Sequence, residues 1–267
     1  MLLALQFLTI IPVRVGGDVS EREIAQSAAF FPLAGALQGL LAALSALVLV
    51  KVFSPEITSG LVLLVLIICN GGFDLDGLAD TADALAVKST GNPQADKVKR
   101  LAVMKDSAVG SIGAVALIMD IFLKFLFIRQ LFLIHSLYTC MSVLFLMPAF
   151  SKWAPVPAMY HGAPARADGL GRIFIDNMKV NTLILSSLVL VVIYIAAAEL
   201  HLIGAYGSVS VTLLVILLAI FYLFSTASVR FFRERFGGLT GDHCGALSEI
   251  SEILFLAVTT IWLQHFT

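Results

Sequence analysis

The sequence predicts an all-α membrane protein, a polytopic bundle of about seven transmembrane helices with the N-terminus inside. Of the 267 residues, 59% are hydrophobic and only 13% are charged, and the mean hydropathy is +0.97. Soluble domains carry about 25% charged residues. Apolar segments of spanning length follow one another along the chain. They lack the alternating pattern of outer-membrane strands, which favours helices.

The elements follow in order from the N-terminus. Residues 1–13 are apolar but too short to span a bilayer, so we expect an interfacial or packed helix that ends near Pro12. The predicted spans occupy roughly 28–52, 57–73, 108–129, 131–150, 180–200, 208–229 and 248–264. The second span is the shortest and can continue into the acidic stretch that follows. No internal repeat divides the chain, so we expect a single integral membrane domain over residues 1–267.

The Lys and Arg residues set the predicted orientation. With the N-terminus inside, 14 of the 17 Lys and Arg residues fall on the inner side, in agreement with the positive-inside rule. The inner segments 70–107, 151–179 and 230–247 also hold most of the remaining charge and the Gly-rich turns. This one-sided chemistry favours an enzyme with its catalytic motifs on the cytoplasmic face, because transporters more often place polar residues at the midplane of their helices.

The most informative feature is the acidic stretch at residues 74–83. Asp76, Asp80 and Asp83 stand at i, i+4 and i+7, within roughly 60° of one another on a helix. Asp74 falls nearly opposite, so we expect it to be an N-cap. Carboxylates on one face repel each other unless a cation compensates, and Mg²⁺ or Mn²⁺ prefers such oxygen ligands. Gly77 would let a ligand or another helix approach closely. The alternative is a solvated helix end that happens to be acidic.

A second inner cluster precedes the span that begins near residue 108. Asp106 and Ser107 stand where a helix N-terminus favours such residues, and capping alone would explain them. In the functional interpretation, Asp106 adds a carboxylate to the same metal site, while Arg100 and Lys105 bind phosphate.

Two further inner loops carry weaker signals. One holds Arg166 and Asp168, and the other, residues 237–245, has backbone amides that could cradle phosphate. Turn chemistry is the simpler explanation of each loop. Within the spans, Asp120 is expected to pair with Lys124 one turn later. The three scattered cysteines predict neither a disulfide framework nor a zinc site.

These motifs resemble a known family. The stretch Gly71-Gly-Phe-Asp-Leu-Asp-Gly-Leu-Ala-Asp-Thr-Ala-Asp83 looks like the signature of the cobalamin synthase family, adenosylcobinamide-GDP ribazoletransferase. The similarity continues through residues 104–113, 165–171 and 237–242, together with Glu249. The family usually has His where this chain has Asp74, and commonly has Gly where it has Ala84.

The resemblance implies a reaction, a metal and a location. Adenosylcobinamide-GDP would react with α-ribazole, or its 5′-phosphate, to give adenosylcobalamin, or its 5′-phosphate, and GMP. The family requires Mg²⁺ and lies in the cytoplasmic (inner) membrane. We therefore expect a membrane-embedded enzyme with these small-molecule substrates and no nucleic-acid partner, with oligomerisation left open. The large amphipathic corrin predicts a wide cytoplasm-facing cavity with apolar walls.

A site hypothesis follows from the residues and the resemblance together. We expect Mg²⁺ to be held over the diphosphate by four carboxylates, Asp76, Asp80, Asp83 and Asp106. Catalysis is assigned to the row on the helix, with Asp83 taking the proton of the attacking ribose 3′-hydroxyl. Substrate contacts are expected from Arg100, Lys105, Ser107, Arg166 and Asp242.

Two other functions stay open from the residues alone. An ion-coupled transporter would use the aspartate row as a cation site, although the polar residues are segregated to one face. A transferase with a CDP-alcohol donor has a related Asp-rich motif. Its expected pattern has Arg directly after the Ala of the motif, whereas here Asp80 follows Ala79, which counts against it.

Overall fold

The computed structural model describes residues 1–13, 16–199 and 207–266. This part of the chain is helical apart from its turns and loops, which confirms the all-α prediction. In chain order the helices are α1 Leu2–Leu8, α2 Glu21–Ser27, α3 Phe31–Leu49, α4 Pro55–Asn70, α5 Phe73–Leu85, α6 Pro93–Val103, α7 Ser111–Ile134, α8 Leu137–Trp153, α9 Pro155–His161, α10 Leu170–Asn177, α11 Val180–Glu199, α12 Gly207–Phe236 and α13 Gly241–Phe266. Arg14, one of the inner cations, and the predicted outer connection at 200–206 lie outside the described residues.

Five helical stretches are long and apolar enough to cross a membrane. They are Glu21–Leu49, Ser111–Ile134, Val180–Ala198, Val211–Phe236 and Gly241–His265. The pair α4 and α5 raises the number to six if it counts as one broken span. The predicted seven spans are therefore not confirmed for the described residues. The difference arises because α4 has 16 residues and α8 has 17, at or below the lower limit of roughly 17 residues for a spanning helix.

A sharp bend separates the apolar helix α4 from the acidic helix α5. The two helices meet at 90°, and the turn between them consists of Gly71 and Gly72, with φ of 71° and 75°. Two consecutive residues in the left-handed region favour glycine, because a Cβ atom is strained there. The Gly-Gly pair thus ends α4 and turns α5, with its carboxylates, away from the direction of the span.

The membrane core is built around α3 and α8. Gly35 and Gly39 of α3 let the two backbones meet, since a Cβ atom at either position would collide with a carbonyl oxygen of α8. Phe150 of α8 packs on Phe221 and Phe255 with ring centroids 5.5 and 5.2 Å apart. These contacts join α8 to α12 and α13. A second apolar cluster gathers residues of the short helices with the end of α12 and the start of α13.

The N-terminal helix packs on the bundle, as the length of its apolar segment predicts. It ends at Leu8, four residues before the expected end, because Thr9 is already extended. The Gln38 side chain donates a hydrogen bond to the Leu8 carbonyl at 2.5 Å, which satisfies an end carbonyl of α1. This contact ties α1 to α3 beside the acidic helix.

Candidate active site

The aspartate row, Asp76, Asp80 and Asp83, lies on helix α5, so the helix predicted for these residues is present. Asp76 is exposed, while Asp80 and Asp83 are partly buried. Helix α5 is held between α13 on one side and α7 on the other. Because neighbouring helices cover part of α5, the structure argues against the alternative of a solvated helix end that happens to be acidic.

Helices α5 and α13 cross at very short range, and the crossing brings a further carboxylate to the row. A Cβ atom on Gly77 would lie 2.6 Å from the Asp242 carbonyl oxygen, and one on Gly245 would lie 3.0 Å from the Asp74 Cα. Each helix thus offers a glycine to the backbone of the other. Of the two interpretations of Gly77, close approach of a ligand or of a helix, the structure selects the helix.

The charges around Asp80 show how tightly the acidic groups converge. Helix α5 lies outside the five continuous spans. Burial raises the pKa of the Asp80 carboxyl to about 6, and the charges of Asp76 and Asp242 add to the rise. The Arg166 guanidinium opposes it, and Asp83 makes a smaller addition. Such a group favours either a proton or a cation nearby.

The donor set fits a hard cation that also binds a substrate. Within residues 1–13, 16–199 and 207–266, no three Asp, Glu, His or Cys side chains form a metal cage by themselves. Mg²⁺ usually binds one or two carboxylates together with substrate phosphates and water rather than a dedicated protein cage. Asp76 and Asp242 line one cavity beside Asp80, so one or two carboxylates could serve in this way.

Asp83 has a second role that the sequence does not reveal. Its two carboxylate oxygens accept hydrogen bonds from the backbone amides of Gly110 and Gly113, at 2.7 and 2.8 Å. A Cβ atom on Gly110 would lie 2.5 Å from the Asp83 carboxylate. Asp83 therefore caps the N-terminus of α7 from another helix, where a negative charge is favoured. Gly110 and Gly113 thus form a cradle for the Asp83 carboxylate.

The capping role expected for Asp74 is wrong, and so is capping as the alternative explanation of Asp106 and Ser107. Helix α7 begins at Ser111 after Gly110, and Asp106 accepts a hydrogen bond from the nearby Ala108 amide at 3.1 Å. Helix α5 has Gly72 as its N-cap, while Asp74 lies buried inside the helix. Local spacing cannot distinguish a cap from a residue that is paired across the fold.

Asp74 instead forms a buried ion pair with Lys152, a residue that sequence reasoning missed. Asn70 also donates a hydrogen bond to the Asp74 carboxylate, at 2.9 Å. The signal in the sequence is a lysine directly after the apolar segment 131–150. Its partner stands 78 positions away, so spacing does not identify it.

A second buried lysine has the carboxylate partner that the sequence predicts and two further partners on another helix. Lys124 pairs with Asp120 at 2.9 Å, as the spacing of one turn predicts. It also pairs with Glu249 and, at 2.9 Å, with Glu252 of α13. A charge of each sign inside a bundle needs such partners, and this network fastens α7 to α13 below the aspartate row.

The remaining predicted phosphate contacts divide between structural and open positions. Arg100 is buried and donates a hydrogen bond to the Arg235 carbonyl at 3.0 Å, so it joins α6 to the end of α12. Lys105, Asp106 and Ser107 are exposed. Lys105 lies 3.6 Å from Asp168 across two loops. The roles of these residues toward a substrate stay predictions.

Arg166 stands at the acidic site. Its guanidinium lies 3.3 Å from an Asp242 carboxylate oxygen, which also accepts a hydrogen bond from Thr240 at 3.3 Å. The two Gly-rich loops lie against each other. The Ala165 amide donates a hydrogen bond to the Leu239 carbonyl, and the Leu239 amide donates one to the Ala163 carbonyl, each at 2.8 Å. The structure thus brings both loops to α5.

His243 takes no part in this site. It is buried, and its Nδ1 accepts a hydrogen bond from the Thr240 amide at 3.0 Å. Its ring stacks on Phe232 with centroids 4.1 Å apart. The Nδ1 atom is thus paired within the core, while the Nε2 atom is buried with no hydrogen-bond partner among the described residues.

Two cavities open beside the aspartate row. The larger, which we call the phenylalanine cavity, has a volume of about 420 Å³ and is lined by Phe7, Phe31, Phe73 and Phe174, with Asp76 and Asp242 at its polar part. The smaller, the arginine cavity, has a volume of about 240 Å³ and is lined by Arg166 and Arg172 with the two Gly-rich loops. Leu170, Gly171, Gly241 and Asp242 line both cavities.

Comparison with known proteins decides the family. Residues 1–260 match the sequence model of the cobalamin-5-phosphate synthases. The chain belongs to the cobalamin-5-phosphate synthase family. Its relatives include the adenosylcobinamide-GDP ribazoletransferase of Thermodesulfovibrio yellowstonii, 35% identical over 99% of this chain and 98% of the relative. A protein with the same name from Desulfitobacterium hafniense is 32% identical over 95% and 93% of the two chains. No solved structure matches.

The four family-like motifs of this cobalamin-5-phosphate synthase family member meet in space. Residues 71–83 contact 104–113 through the Asp83 carboxylate and contact 237–242 at the Gly77 crossing. The loop 165–171 joins them through Arg166 and Asp242. Segments far apart in the chain therefore meet around α5.

Proposed function

We propose that the protein joins adenosylcobinamide-GDP and α-ribazole, or α-ribazole 5′-phosphate, to give adenosylcobalamin, or its 5′-phosphate, and GMP. The relatives carry the name of this activity. The observation that carries the proposal is the convergence of Asp76, Asp80 and Asp242 with Arg166 beside two cavities. A group transfer from a diphosphate needs both oxygen ligands for a cation and a fixed positive charge.

Asp76, Asp80 and Asp242 are the residues that would hold Mg²⁺, and Asp83 adds a carboxylate at the edge of the same group. When bound, the cation would neutralise the diphosphate and the leaving GMP. Arg166, held by Asp242 at 3.3 Å, is placed to contact a phosphate oxygen beside them. Asp106, another expected ligand, is exposed in the loop before α7, and Asp242 takes its place in this proposal.

The acceptor hydroxyl must lose a proton as the new phosphate ester bond forms and the bond to GMP breaks. Both carboxylate oxygens of Asp83, the expected proton acceptor, already accept hydrogen bonds from backbone amides. Asp76 is exposed and lines the phenylalanine cavity, so it presents a carboxylate to a bound acceptor. We therefore transfer the role of general base from Asp83 to Asp76.

The direct test is GMP release by purified protein from adenosylcobinamide-GDP and α-ribazole, with and without Mg²⁺. We expect release only when both substrates and the cation are present. Asp76→Asn should abolish turnover while the protein keeps its thermal transition. Asp18→Asn, which changes an exposed aspartate far along the chain from the row, is the matched control and should behave like the wild type. Full activity of the Asp76 variant would refute the site.

We infer that the protein lies in the inner membrane with its N-terminus and its aspartate row on the cytoplasmic side. The distribution of Lys and Arg supports this orientation. It requires that α4 and α8 cross the membrane as short helices, which restores seven crossings. Neither the transporter nor the CDP-alcohol transferase draws support from the relatives, which share one name.

A further inference from the structure

The phenylalanine cavity has the walls of a binding site for a flat, uncharged group. The rings of Phe7 and Phe31 both contact Phe174 edge to face, with centroids 5.6 and 5.4 Å apart. These contacts hold three of the four rings in place before any ligand arrives. Phe73, the fourth, is 65% exposed at the start of α5. Pre-formed aromatic walls favour an apolar planar ligand.

The charged residues that line the phenylalanine cavity are three carboxylates and one lysine. The acidic residues that line it are Asp74, Asp76 and Asp242. Of the described residues in its wall, Lys152 is the one cation, and its ammonium is already paired with Asp74. The carboxylates of Asp76 and Asp242, which are also proposed to hold Mg²⁺, can accept hydrogen bonds from the hydroxyls of a bound sugar.

The neighbouring arginine cavity is lined by two arginines and two carboxylates. Arg166 and Arg172 pair with Asp242 and Asp176 at 3.3 and 2.9 Å, and residues 168–171 and 239–242 complete the wall. Guanidinium groups and backbone amides are the usual partners of phosphate oxygens. Gly171 and Gly241 stand between the two cavities in close contact, since a Cβ atom on Gly171 would lie 2.5 Å from the Gly241 amide nitrogen. Asp242 borders both cavities.

Size assigns one substrate to the phenylalanine cavity. Its volume of about 420 Å³ lies near the lower end of the range of 300–1,000 Å³ for sites of drug-sized ligands. A nucleoside fits that size, whereas the corrin macrocycle with its nucleotide is far larger. The wide corrin cavity that the sequence predicts is therefore not this one, and the macrocycle would lie outside it.

We propose that the phenylalanine cavity is the acceptor site, which takes the planar base of α-ribazole between its rings and directs the ribose toward Asp76 and Asp242. This assignment rests on the proposed function for the identity of the nucleoside. The phosphates of the donor then lie on the side of the arginine cavity, and the two substrates meet across Asp242. The base alone, an uncharged aromatic group, is what the walls recognise.

Phe73 gives the sharpest test because it is exposed, so its removal spares the core. Phe73→Ala should raise both the Kd for α-ribazole, measured by calorimetry without donor, and its KM by about tenfold, the effect of losing one aromatic stacking partner of a base. The KM for adenosylcobinamide-GDP should stay unchanged. Phe73→Trp keeps an aromatic face and should restore α-ribazole binding. Phe122→Ala, at an exposed phenylalanine of α7, is the matched control and should change neither constant.

Each outcome separates the acceptor site from the proposed reaction. An unchanged Kd for α-ribazole in Phe73→Ala, or a rise confined to the donor KM, would overturn the acceptor site even if GMP is released normally. Wild-type protein that binds α-ribazole in a Phe73-dependent manner but releases no GMP would refute the reaction and leave the nucleoside site standing. Failure of the wild type to bind α-ribazole at all overturns the site.

Discussion

Two lysines inside the bundle, Lys124 and Lys152, carry charges that hydrocarbon cannot solvate. Each is nearly inaccessible, at 3% and 1% exposure, and each is surrounded by carboxylates from other helices. Removing one partner of a buried pair leaves the other charge without compensation, which usually costs more than the pair contributes. The Lys152 pair matters for the site because Asp74 stands two residues before Asp76 on α5.

We expect Lys152→Met to lower the free energy of unfolding by about 3–5 kcal/mol, because it leaves the Asp74 carboxylate buried and unpaired. The thermal transition in detergent measures this change. Asp74→Asn in the same chain removes the stranded charge and should recover most of the loss. Lys51→Met, at an exposed lysine, is the control. Equal stability of the single and double variants would contradict the pairing.

Asp83 allows a second prediction, which separates a cap from a catalyst. Asp83→Asn keeps one acceptor oxygen for the α7 amides and loses the charge at the helix N-terminus. We expect a loss of about 1–2 kcal/mol in stability, with GMP release reduced but measurable and its pH profile unchanged. If turnover disappears while the thermal transition stays in place, Asp83 is the general base after all.

The crossing of α5 and α13 carries the acidic site at the level of whole helices. Gly77→Ala would place a Cβ atom 2.6 Å from the Asp242 carbonyl oxygen, so the helices must separate and move Asp242 away from the row. We expect strongly reduced GMP release and a lower thermal transition. Gly60→Ala in α4, with nothing within 4 Å of the added Cβ atom, is the matched control and should keep full activity.

The sequence predicts helices well here and their junctions poorly. Apolar segments reveal the membrane helices, since each signal lies within one stretch of chain. The 90° turn at Gly71 and Gly72 is visible only as two glycines, which indicate a break but not its angle. The number of crossings also depends on helices of 16 and 17 residues, for which composition does not decide between a span and a packed helix.

Some residues of the site can be predicted from spacing within one helix, whereas others depend on partners far away in the sequence. Asp76 and Asp80 follow from helical spacing alone. The Asp83 cradle joins residues 27 and 30 positions apart, and the Asp74 pair joins residues 78 apart. Such partners depend on how helices pack, which single-residue patterns do not encode. Asp242 could be placed near the row only through the family resemblance.

At the scale of the whole molecule, one orientation must satisfy both the charges and the site. In the proposed orientation, the inner side that the Lys and Arg residues indicate would carry α5, the loop with Arg166 and the start of α13. The outer side carries the short turns after α3 and α7. This arrangement holds only if α4 and α8 each cross the membrane. The side on which the turns after α3 and α7 lie therefore tests it.

We therefore expect single cysteines to report opposite sides in a chain whose three native cysteines, Cys69, Cys140 and Cys244, are replaced. Lys51→Cys and Tyr138→Cys, at exposed positions after α3 and α7, should react with a membrane-impermeant maleimide in intact cells. Lys88→Cys and Lys179→Cys, near the acidic helix and before α11, should react only after permeabilisation. Labelling of Lys88→Cys in intact cells would place the aspartate row outside, away from cytoplasmic nucleotide substrates, because α4 would then end on the wrong side.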